Sequence, residues 1–181
     1  MKQSSLAKVL AVLTAVAFFG LSACDSGPKR PTDPEVIEKM EPFEYTWIEW
    51  ANRVETDYLW RHELFANRMD YPSDYEAYDH TASMETMKEE LASLENLDYV
   101  DQEPYKTALA DMRTVYKKIK EVDEAIFGIE IYWRQNQARS SALMQAGGDE
   151  RRAADALVKA AHTIGIPKSE WPQWVKEKSD L

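Results

Sequence analysis

Cysteine is nearly absent. The chain of 181 residues carries one, Cys24, so no disulfide can close within it and no cysteine-based zinc site can be assembled. Histidine is almost as scarce, with His62, His80 and His162. No two of them share helical ligand spacing, and no glutamate stands three residues before any of them, so the Glu-x-x-His element of di-iron helix bundles is missing. His-Glu-x-x-His, Cys-x-x-Cys-His and glycine-rich phosphate loops are missing too. Six glycines and eight prolines are too few for the many tight turns of a β fold. Positive charge is short: 22 basic against 32 acidic side chains, a net charge of −10. Such a surface repels phosphate backbones and anionic headgroups, so no nucleic-acid partner is expected. The longest apolar run, Val9 to Phe19, falls well below the ~20 residues that a spanning helix requires.

The chain does have a strong helical period. Tyr105, Ala108, Met112, Val115, Ile119, Val122, Ile126, Ile129, Trp133, Asn136, Ser140 and Leu143 recur at a spacing of about 3.5 residues. Only Asn136 and Ser140 interrupt that apolar seam. Lys117, Lys118, Lys120, Glu121, Asp123, Glu124 and Arg134 are expected on the water-facing side. The seam predicts one long helix from Tyr105 to Gln145, ended by Gly147-Gly148, with Asp101 as its N-cap and Pro104 at its start. Asp149 is then expected to cap a helix over Glu150 to Thr163, stopped by Gly165 and Pro167.

Upstream, Asp33 and Pro34 mark a helix start, with Glu35 and Glu38 in its first turn. Its apolar stripe holds Phe43, Trp47, Ile48, Ala51, Val54, Tyr58, Phe65 and Met69. Pro42 would kink it or start a second segment, and it should end near Asp70. A shorter helix is expected from about Ser83 to Leu94 or Leu97, with Met84, Met87, Leu91 and Leu94 inward. The fold class this implies is all-α: an elongated bundle of about four helices over residues 35–181.

The N-terminus reads as an address. Lys2 and Lys8 precede the apolar run, and Gly20-Leu21-Ser22-Ala23 leads into Cys24. Leu21-Ser22-Ala23-Cys24 resembles the lipobox of bacterial lipoproteins. The resemblance covers about the first 25 residues. It implies that residues 1–23 are a cleaved signal peptide and that Cys24 is acylated, making the membrane a partner through its chains; two or more chains hold firmly. In the enterobacterial members an aspartate after the cysteine retains the protein at the inner membrane, so Asp25 leans the expectation that way over the outer membrane. Residues 24–34 then form a proline-rich flexible tether.

Candidate contact residues are few. Tyr71, Tyr75, Tyr78 and His80 fall in a polar aromatic stretch with no period, where loops tend to carry function. Trp171 and Trp174, three apart, share a face, either latching the tail to the bundle or forming a knob for a partner. Trp47, Trp50, Tyr58, Trp60 and Phe65, among carboxylates, suit either a core or a sugar- or cation-binding face. Met144, Asn136 and Ser140 could line a polar pocket, or Asn136 could fix helix register. A methionine such as Met40 or Met112 with His162 could ligate haem, but chance supplies such pairs, and no cofactor is expected. No metal site is expected either. Nothing nominates a nucleophile or an acid–base pair. The expected role is therefore non-enzymatic: an adaptor or accessory subunit with an envelope protein as partner. The alternative is an envelope lipoprotein that binds a glycan or a cationic small molecule.

Overall fold

The computed structural model describes residues 30–59, 80–134 and 139–179, with side chains over 30–56, 82–126 and 144–179. It is an all-α bundle, and no strand occurs among the described residues. The expected signal peptide, Cys24, Asp25, Tyr71, Tyr75 and Tyr78 lie outside the described residues, as do Trp60, His62, Phe65 and Asn136.

Helix α1 (Pro34–Arg53) begins where the sequence places it. Asp33 is extended, and its Oδ1 accepts from the Glu35 N–H at 3.0 Å, with Pro34 in the first turn. Pro42 neither starts nor ends a segment; it sits inside α1. Its missing N–H leaves the Glu38 carbonyl without a helical donor, and exposed Glu38 can turn that carbonyl to water. Phe43, Trp47, Trp50 and Val54 form one fully buried stripe. At Val54 the coil widens into a π-helical turn, Val54–Leu59. The expected end near Asp70 falls outside the described residues.

Helix α2 (His80–Glu95) buries Met87 and Leu94 and half-buries Met84 and Leu91. Helix α3 (Tyr105–Arg134) carries the seam: Tyr105, Ala108, Met112, Val115, Ile119, Val122 and Ile126 are all buried. Asp101 is not its N-cap, because Pro104 immediately precedes the first helical residue and Asp101 stays exposed further back.

The long helix is shorter than the seam predicts. It stops at Arg134, and helix α4 (Arg139–Ile164) begins four residues past the break and runs back along it. Gly147-Gly148 therefore lies inside α4 and does not end α3, and Asp149 is a buried interior residue of α4, not a cap. Packing decides this. The α3–α4 contact is the most extensive in the molecule, and Ala146, Ala153, Ala154, Leu157, Val158, Ala160 and Ala161 are all buried on α4. Burial of about 1.5–3 kcal/mol for each larger aliphatic side chain outweighs the roughly 1 kcal/mol that each mid-helix glycine costs. Asp123 also departs from expectation: it is buried, although the sequence assigns it to the water-facing side.

Gly165 ends α4 as expected. Its φ of 93° is the left-handed conformation glycine adopts without strain, and the Gly165 and Ile166 N–H groups both donate to the Ala161 carbonyl, at 2.8 and 2.9 Å. A 3-10 turn (Lys168–Glu170) and helix α5 (Gln173–Lys178) follow.

Cross-contacts give the topology. Lys39 meets Tyr99 and Trp50 meets Glu90, so α1 and α2 are antiparallel. Glu95 meets Arg113, and Asp111 meets Lys159 and Thr163, so α2/α3 and α3/α4 are antiparallel as well. The bundle runs up, down, up, down. At ~1.5 Å per residue α3 spans ~45 Å.

Candidate functional site

The four tryptophans with described side chains are spent on the fold. Trp47 Nε1 donates to the Leu157 carbonyl at 2.8 Å, and Trp174 Nε1 to the Ala51 carbonyl at 2.9 Å. Trp171 Nε1 donates to Ile166 at 3.0 Å. Trp50 Nε1 reaches the Glu90 carboxylate at 2.7 Å. Each indole thus buries its ring and finds a partner for its N–H. Trp171 and Trp174 are each 4% exposed. They form the latch of the two readings: the tail folds back so that Trp174 closes on α1, and neither ring is offered as a knob. Trp47 and Trp50 are likewise core residues and present no ring face to a ligand.

Of the other nominated residues, His80 is the first residue of α2. Met144 is 75% exposed on α4. Met40 and Met112 are buried, whereas His162 is exposed with its ring edge-on to Trp171 at 5.7 Å.

Polar groups that the periodic pattern does not single out hold the helices together. Asp111, buried on α3, accepts from Lys159 Nζ at 2.8 Å and from Thr163 Oγ1 at 2.7 Å, tying α3 to α4. Glu90 on α2 accepts from Trp50 and lies 3.5 Å from Arg53. Glu150, fully buried on α4, sits 3.4 Å from Lys178 Nζ of α5. Only the i, i+4 spacing of Lys159 and Thr163 hints at the Asp111 lock; the others join residues far apart in sequence.

The Lys118 hydrogen bond holds the Glu121 carboxyl below its ordinary range. The bond to Glu35 raises the Lys39 ammonium, and burial raises the Tyr99 phenol. Tyr99 also donates its hydroxyl to the Lys39 carbonyl at 3.1 Å and packs edge-on to Tyr105 at 4.8 Å. This cluster fills itself and leaves no cage.

Among the described residues no group of three or more His, Cys, Asp or Glu is placed to hold a metal ion. No described helix is long and apolar enough to cross a membrane. Among the described residues, two large hydrophobic side chains stand out as exposed, Met144 and Tyr45, the latter at 67% on the outer face of α1. Beside Tyr45, Glu44 is reached by Arg30, four residues before α1, whose guanidinium donates to Glu44 Oε1. Glu38, Glu41, Glu49 and Glu55 continue that face as acidic surface.

No protein-family model matches this chain, no curated protein matches it, and no solved structure matches it.

Proposed function

We propose that this protein is a periplasm-facing lipoprotein, anchored through an acylated Cys24, that serves as a non-enzymatic adaptor or accessory subunit of an envelope complex. One observation carries the reading: the ordered series of positive start, short apolar run, Leu21-Ser22-Ala23 and a sole cysteine. The acylated cysteine holds the membrane, and the bundle supplies helical faces for a neighbouring protein. Asp25 favours the inner membrane.

The test is crosslinking in intact cells, followed by purification through a C-terminal tag. One abundant envelope partner, recovered from wild type and lost with Cys24→Ala, is the expected result. A lone monomer at native expression would sink a stable adaptor role. Mass spectrometry of the mature N-terminus checks the anchor separately.

The alternative, a binder of glycan or cationic ligands, drew on aromatic faces. Burial of Trp47, Trp50, Trp171 and Trp174 leaves it with less to use. Tryptophan fluorescence against a ligand panel tests it, and a flat response would remove it.

A further inference from the structure

Arg30 and Glu44 are fourteen residues apart and in contact. From Pro34 to Glu44 the helix advances ~15 Å. Residues 30 to 33 reach ~10 Å when extended. A tether leaving along the helix axis would put the Arg30 backbone ~25 Å from that of Glu44, beyond the ~11 Å that the two side chains span together. The chain at Arg30 must therefore double back beside the first turns of α1. Half-buried Pro31 and the Asp33 cap support that course, and Glu44 keeps only 21% of its side chain exposed under it.

We infer that the Arg30–Glu44 clasp makes the anchor leave the bundle from the flank of α1 and turns that flank, with Tyr45, toward the lipid surface. The inference rests on the acylated Cys24 of the proposed function. Arg30 is the sixth residue after Cys24, a reach of ~20 Å. Asn52 lies ~12 Å along α1 from Glu44, so with the ~11 Å spanned by the two clasped side chains it stays within ~43 Å of the anchor. With the clasp open, the ten residues to Pro34 and the helix beyond allow ~60 Å. Tyr45 is the exposed aromatic on this flank, and a tyrosine with an apolar ring and polar tip suits the headgroup region. The acidic neighbours Glu38 and Glu41 keep the contact shallow.

The test uses the full mature lipoprotein in phosphatidylcholine vesicles containing a rhodamine-labelled lipid. Acylation occupies the only native thiol, so Asn52→Cys and Asp101→Cys each give a single site for a donor dye. Both residues are exposed. Energy transfer at position 52 is expected to equal or exceed that at position 101. Adding Arg30→Ala, or Glu44→Gln as an independent release, should at least halve transfer at 52 without lowering it at 101. High salt should act in the same direction, since the pair is partly exposed. Transfer at 52 that is low from the start and indifferent to both substitutions would overturn the inference. If Cys24 is itself free to react, the acylation reading fails by that fact. The clasp is then read directly as the distance from a label on Cys24 to one at 52, which must lengthen on Arg30→Ala for the clasp to stand.

Discussion

The C-terminal segment and helix α2 are both short pieces closing on the same α1–α3–α4 core, yet they are fastened differently. The C-terminal segment uses tryptophan: Trp171 and Trp174 bury their rings and donate to backbone carbonyls, Trp174 across to Ala51. Helix α2 uses two buried apolar side chains, Met87 and Leu94, and then carboxylates, Glu90 toward Trp50 and Arg53 and Glu95 toward Arg113. A backbone carbonyl does not titrate and is little affected by salt. A half-exposed carboxylate facing a cation is screened by salt. The comparison teaches that α2 is the seam of this bundle that salt can loosen most, whereas the tail is held chiefly by packing, with the Lys178–Glu150 pair beside it.

The largest expected effect tests the packed side. Trp174→Ala should cost about 3–5 kcal/mol, the range for removing a large buried aromatic, read by chemical denaturation. Met87→Ala on α2 should cost about 2–5 kcal/mol. A loss at Trp174 well below that at Met87 would break the comparison. Next comes the α3–α4 lock: Asp111→Ala should cost about 1–2 kcal/mol, because Thr163 can fall back on the Lys159 carbonyl at 3.3 Å. Glu90→Gln keeps an acceptor for Trp50 and loses only the charge facing Arg53, so about 1 kcal/mol or less is expected. That loss should shrink in high salt, and salt-independent behaviour would show α2 to be held by packing alone. The smallest effect is a pH dependence at Glu121. Its folded carboxyl sits below the ordinary value of 4.5, so its contribution is present above that value and disappears as pH falls through the lowered one. Denaturation midpoints of wild type and Glu121→Gln should therefore converge in acid; midpoints equally separated at pH 7 and in acid would remove this term.

Much of the bundle was legible where chemistry is local. The Asp33-Pro34 start, the α3 seam as far as Ile126 and the Gly165 stop all follow from a cap, a period and a left-handed turn. The break between α3 and α4 was not. Gly147-Gly148 carries the usual mark of a helix end, while the residues from Gln135 to Ala138 carry neither glycine nor proline. The cue present was the loss of apolar character after Trp133, where the seam reaches Asn136 and Ser140. Asp123 and Asp111 were unreadable for a related reason: a carboxylate on a helix looks solvated until the neighbouring helix is placed. The tryptophans were readable as core or contact, and only the positions of the Leu157 and Ala51 carbonyls decide between those. As for the site, only the lipobox-like stretch speaks from sequence; Arg30 and Glu44 meet through a reversal that no period encodes.

The glycine pair inside α4 carries a further consequence. Gly147 has open space where a Cβ would stand, and a Cβ on Gly148 would meet Arg152 Nη1 at an ordinary 3.5 Å. Neither site demands glycine for room, so the pair lowers the local cost of opening. The first turns of α4 should exchange their amide hydrogens faster than the alanine-rich turns after Asp149. Gly147→Ala should slow that exchange and add about 0.5–1 kcal/mol to stability; unchanged exchange would mean that packing against α3 alone governs opening. The bundle would then have a rigid half toward Gly165 and a breathing half around Gly147.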